Sequence, residues 1–211
     1  MTGAQLEPSY ADLAAHVLGT DEIHAVFTTL LRTLSRPGTT GILSAGSSGE
    51  VDPVVLPLLA LVGHLTPIAV VGDDGRAAAV LARVTGGHEV AIADASYVAF
   101  LRQPTAAEIA DLRRGTAAAP ETAAQIVVGT APLPGEDARP AGLTVSGPGV
   151  DGSVAVRVPH LGTAIADWLG ALPREFPCGF DTWLVDRDGY VTAVPRSSSV
   201  TIARTDQNGD S

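Results

Sequence analysis

Lysine is absent from this chain: all 13 basic residues are arginine. That absence excludes a lysine Schiff base, and with it pyridoxal-phosphate chemistry of the usual kind, and it excludes the lysine of a phosphate-binding P-loop. No cofactor is expected, and any anion recognition must use arginine, backbone N–H groups, hydroxyls or histidine. Cysteine is nearly absent too: Cys178, the only one, cannot form an intrachain disulfide. Aromatics are 4% of the 211 residues, so Ala, Val and Leu must fill most of the core. Long apolar runs are missing. The longest, Val51 to Val71, is broken by Asp52, Pro53, Pro57, Gly63, His64 and Pro67, which argues against a membrane span. No basic segment followed by an apolar run opens the sequence, so no secretory signal is expected, and the chain reads as soluble and cytoplasmic. The 13 basic and 23 acidic residues give a formal net charge of −10, which disfavours general binding to nucleic acid or anionic membranes but leaves room for a local arginine pocket.

What is present suits a folded domain. Hydrophobic residues make up 45% and charged residues 17%, and a chain of this mass can bury about 70% of its extended surface in a single domain. Ser9 can cap a short helix from Tyr10 to Leu18. Asp21 is expected to cap the clearest element, whose apolar face runs through Ile23, Val26, Phe27, Leu30, Leu31 and Leu34. Arg36-Pro37-Gly38 stops it. Gly41 to Leu43 reads as a short strand and Val54 to Leu65 as a buried helix. Pro67 to Val71 and His88 to Ala93 read as strands joined by a helix ending near Val84, a parallel pair. Thr105 and Glu108 form a capping-box pattern for a helix from Ala106 to Arg114. Strands are expected at Ala124–Val128, Leu143–Ser146 and Val154–Val158, and a helix at Leu161–Leu172 with Ile165, Trp168, Leu169 and Leu172 on one face. Asp181–Asp186 and Tyr190–Val194 form a hairpin across Arg187-Asp188-Gly189, and Val200–Ala203 ends the series. The order implies an α/β domain with a mixed central sheet flanked by helices.

Few residue patterns carry chemistry by themselves. Gly147-Pro148-Gly149-Val150-Asp151-Gly152 fits GxGxxG, but the next segment alternates like a strand, where a dinucleotide fingerprint must open a helix; a tight turn is expected. Cys178 has only His160 near it in sequence and reads as a small packing residue. His16, His24, His64, His88 and His160 show no metal-ligand spacing. Asp73/Asp74 and Asp186/Asp188 read as turn residues. Arg196 stands out: followed by Ser197, Ser198 and Ser199 after an apolar strand, it could bind phosphate or phosphonate oxygens, or sit at a subunit contact. Asp181 joins it in the alternative of a stand-alone enzyme acting on a phosphorylated small molecule. There is no GxSxG elbow.

Five segments together go further. Phe27 to Gly38 resembles the FRxLLxxMSxPG signature of the PhnH family, the H subunit of the bacterial carbon–phosphorus lyase system. Gly115 to Glu121 is similar to its GTAxAPE segment, Gly147 to Val150 to its GPGI turn, Phe176 to Asp181 to FPxGID, and Val194 to Ser198 to IPRTT. The segments fall in the family's order from about residue 22 to 203. Thr28 stands where the family has Arg, Ala123 where it has Gly, and Gly63-His64-Leu65 replaces an Asp-containing stretch.

The resemblance implies a fold related to pyridoxal-phosphate-dependent transferases without the cofactor. It implies a homodimer that joins G, I and J subunits in an assembly that uses ATP as substrate, moves an alkylphosphonate onto ribose C1 and yields a ribose 1-alkylphosphonate 5-triphosphate. It supplies no catalytic residue. Arg196, Ser197, Ser198, Asp181, Gly147 and Gly149 are the anion-binding or interface candidates. A phosphonate- or nucleotide-binding module without turnover is a further alternative.

Overall fold

The computed structural model describes residues 18–44, 52–72, 75–130, 141–158, 161–171 and 176–204. The helix expected from Tyr10, the turn at Asp73/Asp74, the connection across 131–140, and His160 and Leu172 lie outside these residues.

Helix α1 (Thr20–Ser35) begins one residue before Asp21, with Gly19 at its N-cap and the Glu22 carboxylate accepting from the Gly19 N–H at 2.7 Å. Its inward stripe is narrower than the sequence suggests. Val26, Leu30 and Thr33 are buried, whereas Phe27 and Leu31 are exposed. Thr33 can take an inward position because its hydroxyl donates to the Leu30 and Thr29 carbonyls of the preceding turn. Strand β1 (Thr40–Ile42) follows. A 3₁₀ turn at Pro53–Val55 then leads into α2 (Leu56–Leu61), shorter than the helix expected to reach Leu65. Val62 turns extended and Leu65 takes a left-handed φ of 62°, held by its N–H donating to the Gly86 carbonyl.

The central layer comes next: β2 (Pro67–Val71), α3 (Arg76–Thr85), β3 (His88–Glu89), β4 (Tyr97–Phe100), α4 (Ala106–Asp111) and β5 (Gln125–Gly129). The sequence reading placed β3 to Ala93 and missed β4. The chain instead leaves β3 after Glu89, makes a 3₁₀ turn at Ile92–Asp94 and pairs Tyr97–Phe100 between β2 and β5. Thr105 and Glu108 do cap α4, which ends at Asp111 and not at Arg114. Strands β6 (Ala141–Ser146) and β7 (Ser153–Val158), helix α5 (Thr163–Ala171), the hairpin β8 (Asp181–Val185) and β9 (Tyr190–Val194), and β10 (Ser199–Arg204) complete the order.

The architecture is α/β with a mixed seven-stranded sheet in the order β1-β9-β8-β5-β4-β2-β3, and a second, three-stranded antiparallel sheet, β10-β6-β7. Strands β8, β5, β4, β2 and β3 are parallel, and β9 and β1 pair antiparallel at the β8 side. Alternate residues of each strand serve opposite faces. Ala99, Val127, Trp183, Val191 and Ala193 pack with α1, α2 and α3 through Val26, Leu30, Leu58 and Leu81. Val98, Phe100, Ile126, Val128, Leu184 and Val194 pack against α4, α5 and the small sheet through Ile109, Ile165, Trp168, Leu143, Val145 and Val156. The Trp183 indole N–H donates to the Leu30 carbonyl and ties α1 to the sheet.

Candidate functional site

The parallel strands have an amino edge and a carboxyl edge, and the five motif segments gather at the amino edge. Asp181 is the first residue of β8. Arg196 follows β9, which runs back to that edge, so the hairpin register of Thr182 opposite Val194 brings the two side by side. The Arg196 N–H donates to Asp181 Oδ1 at 3.0 Å, and its Nε and Nη2 donate to Oδ2 at 3.2 and 2.8 Å. Nη1 donates to the Pro120 carbonyl at 2.6 Å. Three of the five guanidinium N–H donors are thus committed within the chain. The side chains of Arg196 and Asp181 are 15% and 19% exposed, so an incoming anion has to compete with a carboxylate that is already in place.

The other motifs lock onto this pair. Pro120 belongs to the Gly115–Glu121 segment. Gly179 N–H donates to the Arg114 carbonyl, and the Arg114 guanidinium lies 5.6 Å from the centre of the Phe180 ring. Phe180 in turn meets Trp168 at 5.3 Å between ring centres. The Gly147–Gly152 stretch is the turn between antiparallel β6 and β7 and opens no helix, as its alternating sequel indicated. Gly147 sits against Ser197 and Ser198, where a Cβ would stand 3.1 Å from the Ser197 carbonyl oxygen. Gly149, at φ 85°, sits against the end of the first motif, where a Cβ would stand 2.6 Å from the Ser35 carbonyl oxygen. The six candidate residues thus lie near one another at this edge: Arg196 bonds Asp181, Gly147 sits against Ser197 and Ser198, and Gly149 sits against Ser35. Ser197 is half-buried and Ser198 buried; among the described residues the Ser198 hydroxyl has no hydrogen-bond partner. Cys178 is a half-buried free thiol beside the cis Phe176–Pro177 peptide. Among the described residues, no group of three or more His, Cys, Asp or Glu is placed to hold a metal ion.

Two polar braces escaped the sequence reading. Glu108 caps α4 and also accepts two hydrogen bonds from Arg102, at 3.0 and 2.6 Å. That guanidinium, together with the Thr105 donors, holds the Glu108 carboxyl down at about 2. Gln103 is buried and joins two elements: its amide donates to the Gly129 carbonyl at 3.1 Å and accepts from the Gly162 N–H at 3.2 Å. Thr105-x-x-Glu108 was legible as a cap, but nothing in sequence indicated its bond to Arg102 or the long-range partners of Gln103.

Fold and network define an α/β protein whose sequence motifs bind segments of the chain to one another across one sheet edge. The family model for the bacterial phosphonate metabolism protein, PhnH, matches residues 18–201, and the chain belongs to that family. Its role is therefore in phosphonate metabolism. Comparison with curated proteins gives no significant match. No helix among the described residues is long and apolar enough to cross a membrane.

Proposed function

We propose that the chain is the H subunit of a bacterial carbon–phosphorus lyase assembly. In this reading it is a single cytoplasmic domain, forms a homodimer, and joins G, I and J subunits to support ATP-dependent transfer of an alkylphosphonate onto ribose C1. The family match across residues 18–201 carries the reading. The motif network supports a scaffolding part in that assembly. Arg196 and Asp181 spend their charges on each other and tie Pro120 to the FPCGFD segment, with the GPG turn packed on Ser197 and Ser198 beside them, an edge suited to a subunit contact. The absence of lysine accords with a fold of pyridoxal-phosphate-transferase type that works without that cofactor.

The test is growth of a phosphonate-using bacterium that lacks its own H subunit, with methylphosphonate as sole phosphorus source. The chain, expressed with its cognate G, I and J subunits, should restore growth. Growth on inorganic phosphate alone, with none on methylphosphonate, would overturn the reading.

A further inference from the structure

Helix α1 carries a second apolar stripe, which faces away from the core. Phe27 and Leu31, one turn apart on the same side, are 43% and 53% exposed. A single exposed leucine needs no explanation. Here two large side chains align, and exposed His24 and half-buried Leu34 continue their row at the helical period. Val26, Leu30 and Thr33 already occupy the inward positions, so no rotation of the helix buries both stripes at once. Helix α2 packs alongside α1 and leaves Leu59 and Leu61 half-buried.

The charges around this stripe are segregated. Asp21 and Glu22 lie in the first turn and Arg32 in the last, with Arg36 just beyond it. No carboxylate occurs from Ile23 to Gly49, although the chain has 23 acidic residues. Asp21, Arg32 and Arg36 are all exposed. The helix dipole favours that order within one helix. The same order makes the outer face complementary to itself. Asp21 and Arg32 are eleven residues apart and so lie on nearly one line along the helix, beside the apolar stripe. The point midway between Phe27 and Leu31 is eight residues from Asp21 and seven from Arg36. A twofold axis through that point runs a second copy antiparallel to the first. It sets Phe27 of each copy against Leu31 of the other and Asp21 of each opposite Arg36 of the other, with Arg32 about one turn further in. A parallel arrangement would set like charges together.

We propose that the outer face of α1 is a self-contact: two copies of this chain pack α1 against α1, antiparallel across a twofold axis, with Phe27 and Leu31 at the centre and Asp21 on Arg36 and Arg32 at each end. This gives the homodimer of the functional reading its surface, while the self-complementarity rests on α1 alone. The area fits. Phe27 and Leu31 expose about 200 Å² of apolar surface per copy, nearly half of what one partner contributes to an interface of standard size. Leu34, Leu59, Leu61 and the arginine stems border it and can supply the remainder. A partner surface of a single sign would be attracted at one end of α1 and repelled at the other, whereas a second copy satisfies both ends.

Sedimentation velocity of the full chain from about 1 to 100 μM tests the proposal, and should show a dimer that dissociates on dilution. Phe27→Ser combined with Leu31→Ser should weaken it about 100-fold or more. Two charge variants separate a self-contact from any other use of the stripe. Asp21→Arg sets like charges at both ends of the contact, and so does Arg32→Glu combined with Arg36→Glu; each should weaken self-association about 5- to 100-fold. Mixed in equal amounts, these two variants present opposite charges at both ends and should form a mixed dimer at close to the parent affinity. All these positions are on the solvent side of α1, and unchanged far-UV circular dichroism verifies that each variant keeps its fold. A parent that is monomeric across the range, a dimer whose affinity no variant changes, or folded charge variants that stay monomeric when mixed would overturn the self-contact. A monomeric parent that co-elutes with G, I and J and loses them on Phe27→Ser with Leu31→Ser would also overturn it, and would give the stripe to another subunit. This proposal and the functional reading fail separately. Restored growth on methylphosphonate by a monomeric chain removes the self-contact and keeps the assembly role. A charge-dependent dimer without restored growth keeps the self-contact and removes that role.

Discussion

Arg196→Ala removes a side chain that hydrogen-bonds both Asp181 and Pro120. Asp181 loses two of its three hydrogen bonds from Arg196, keeping only that from the backbone N–H, and the Pro120 carbonyl loses its 2.6 Å donor. Breaking a fully buried ion pair costs roughly 3–5 kcal/mol. Here the side chains are 15% and 19% exposed, and water can partly re-solvate the stranded carboxylate, which brings the cost to about 2–3 kcal/mol. For a chain of this length each kcal/mol lowers the melting temperature by about 2–4 °C, so a drop of about 4–12 °C is expected by circular dichroism. Arg196→Lys should recover part of the loss, since an ammonium serves one of the two acceptors well but lacks the planar fork. Asp181→Asn should cost less than Arg196→Ala, because its amide oxygen can still accept from the Arg196 N–H. The double variant should show a coupling of about 1 kcal/mol or more. A melting temperature within about 1 °C of the parent for Arg196→Ala, an effect of ordinary surface size, would refute the clip and return Arg196 to the role of a free anion site.

Three further outcomes follow from the same geometry. Glu108→Gln keeps the capping box but loses the ion pair with Arg102; the carboxyl sits at about 2 in the fold against an ordinary 4.5, so its stabilisation, about 1 kcal/mol after solvent screening, is present above pH 4.5. The gap in melting temperature between parent and variant should close as pH falls from 4.5 towards 2, and a gap that stays constant over that range would contradict the assignment. Gly149→Ala should cost about 1–3 kcal/mol in urea denaturation, since φ 85° strains an L-residue and the added Cβ meets the Ser35 carbonyl; an unchanged midpoint would show that the turn can move away from α1 freely. Gln103→Ala should cost about 2–4 kcal/mol, because it leaves the Gly129 carbonyl and Gly162 N–H unpaired around a new void, and protection of both segments in hydrogen exchange should fall with it.

What was legible in the sequence was mostly local. The 3.6-residue apolar period and the Arg36-Pro37-Gly38 stop delimit α1 to within a residue or two, and the Arg187-Asp188-Gly189 turn gives the β8–β9 hairpin. The rotation of α1 was not legible, because its apolar stripe is wider than the surface it covers, leaving Phe27 and Leu31 outside. Strand β4 escaped because a short strand buried on both faces shows no alternation: Val98, Ala99 and Phe100 are all fully buried. The end of α2 escaped because Leu61, Val62 and Leu65 keep apolar residues at helical spacing past Gly63 and His64, while the backbone turns away at Val62. The second sheet depends on β10 pairing with β6 across more than fifty residues, which no local pattern encodes. The Arg196–Asp181 pair follows from the hairpin once its register is known, whereas the contact with Pro120 is set by the β5–β8 pairing.

Co-expression with G, I and J subunits of a carbon–phosphorus lyase system, followed by size-exclusion chromatography, tests the central claim most directly. The chain is expected to elute with the other subunits in one high-mass peak, and the Arg196→Ala variant to be depleted from that peak. Elution of the parent chain by itself, with G, I and J assembled without it, would contradict the claim.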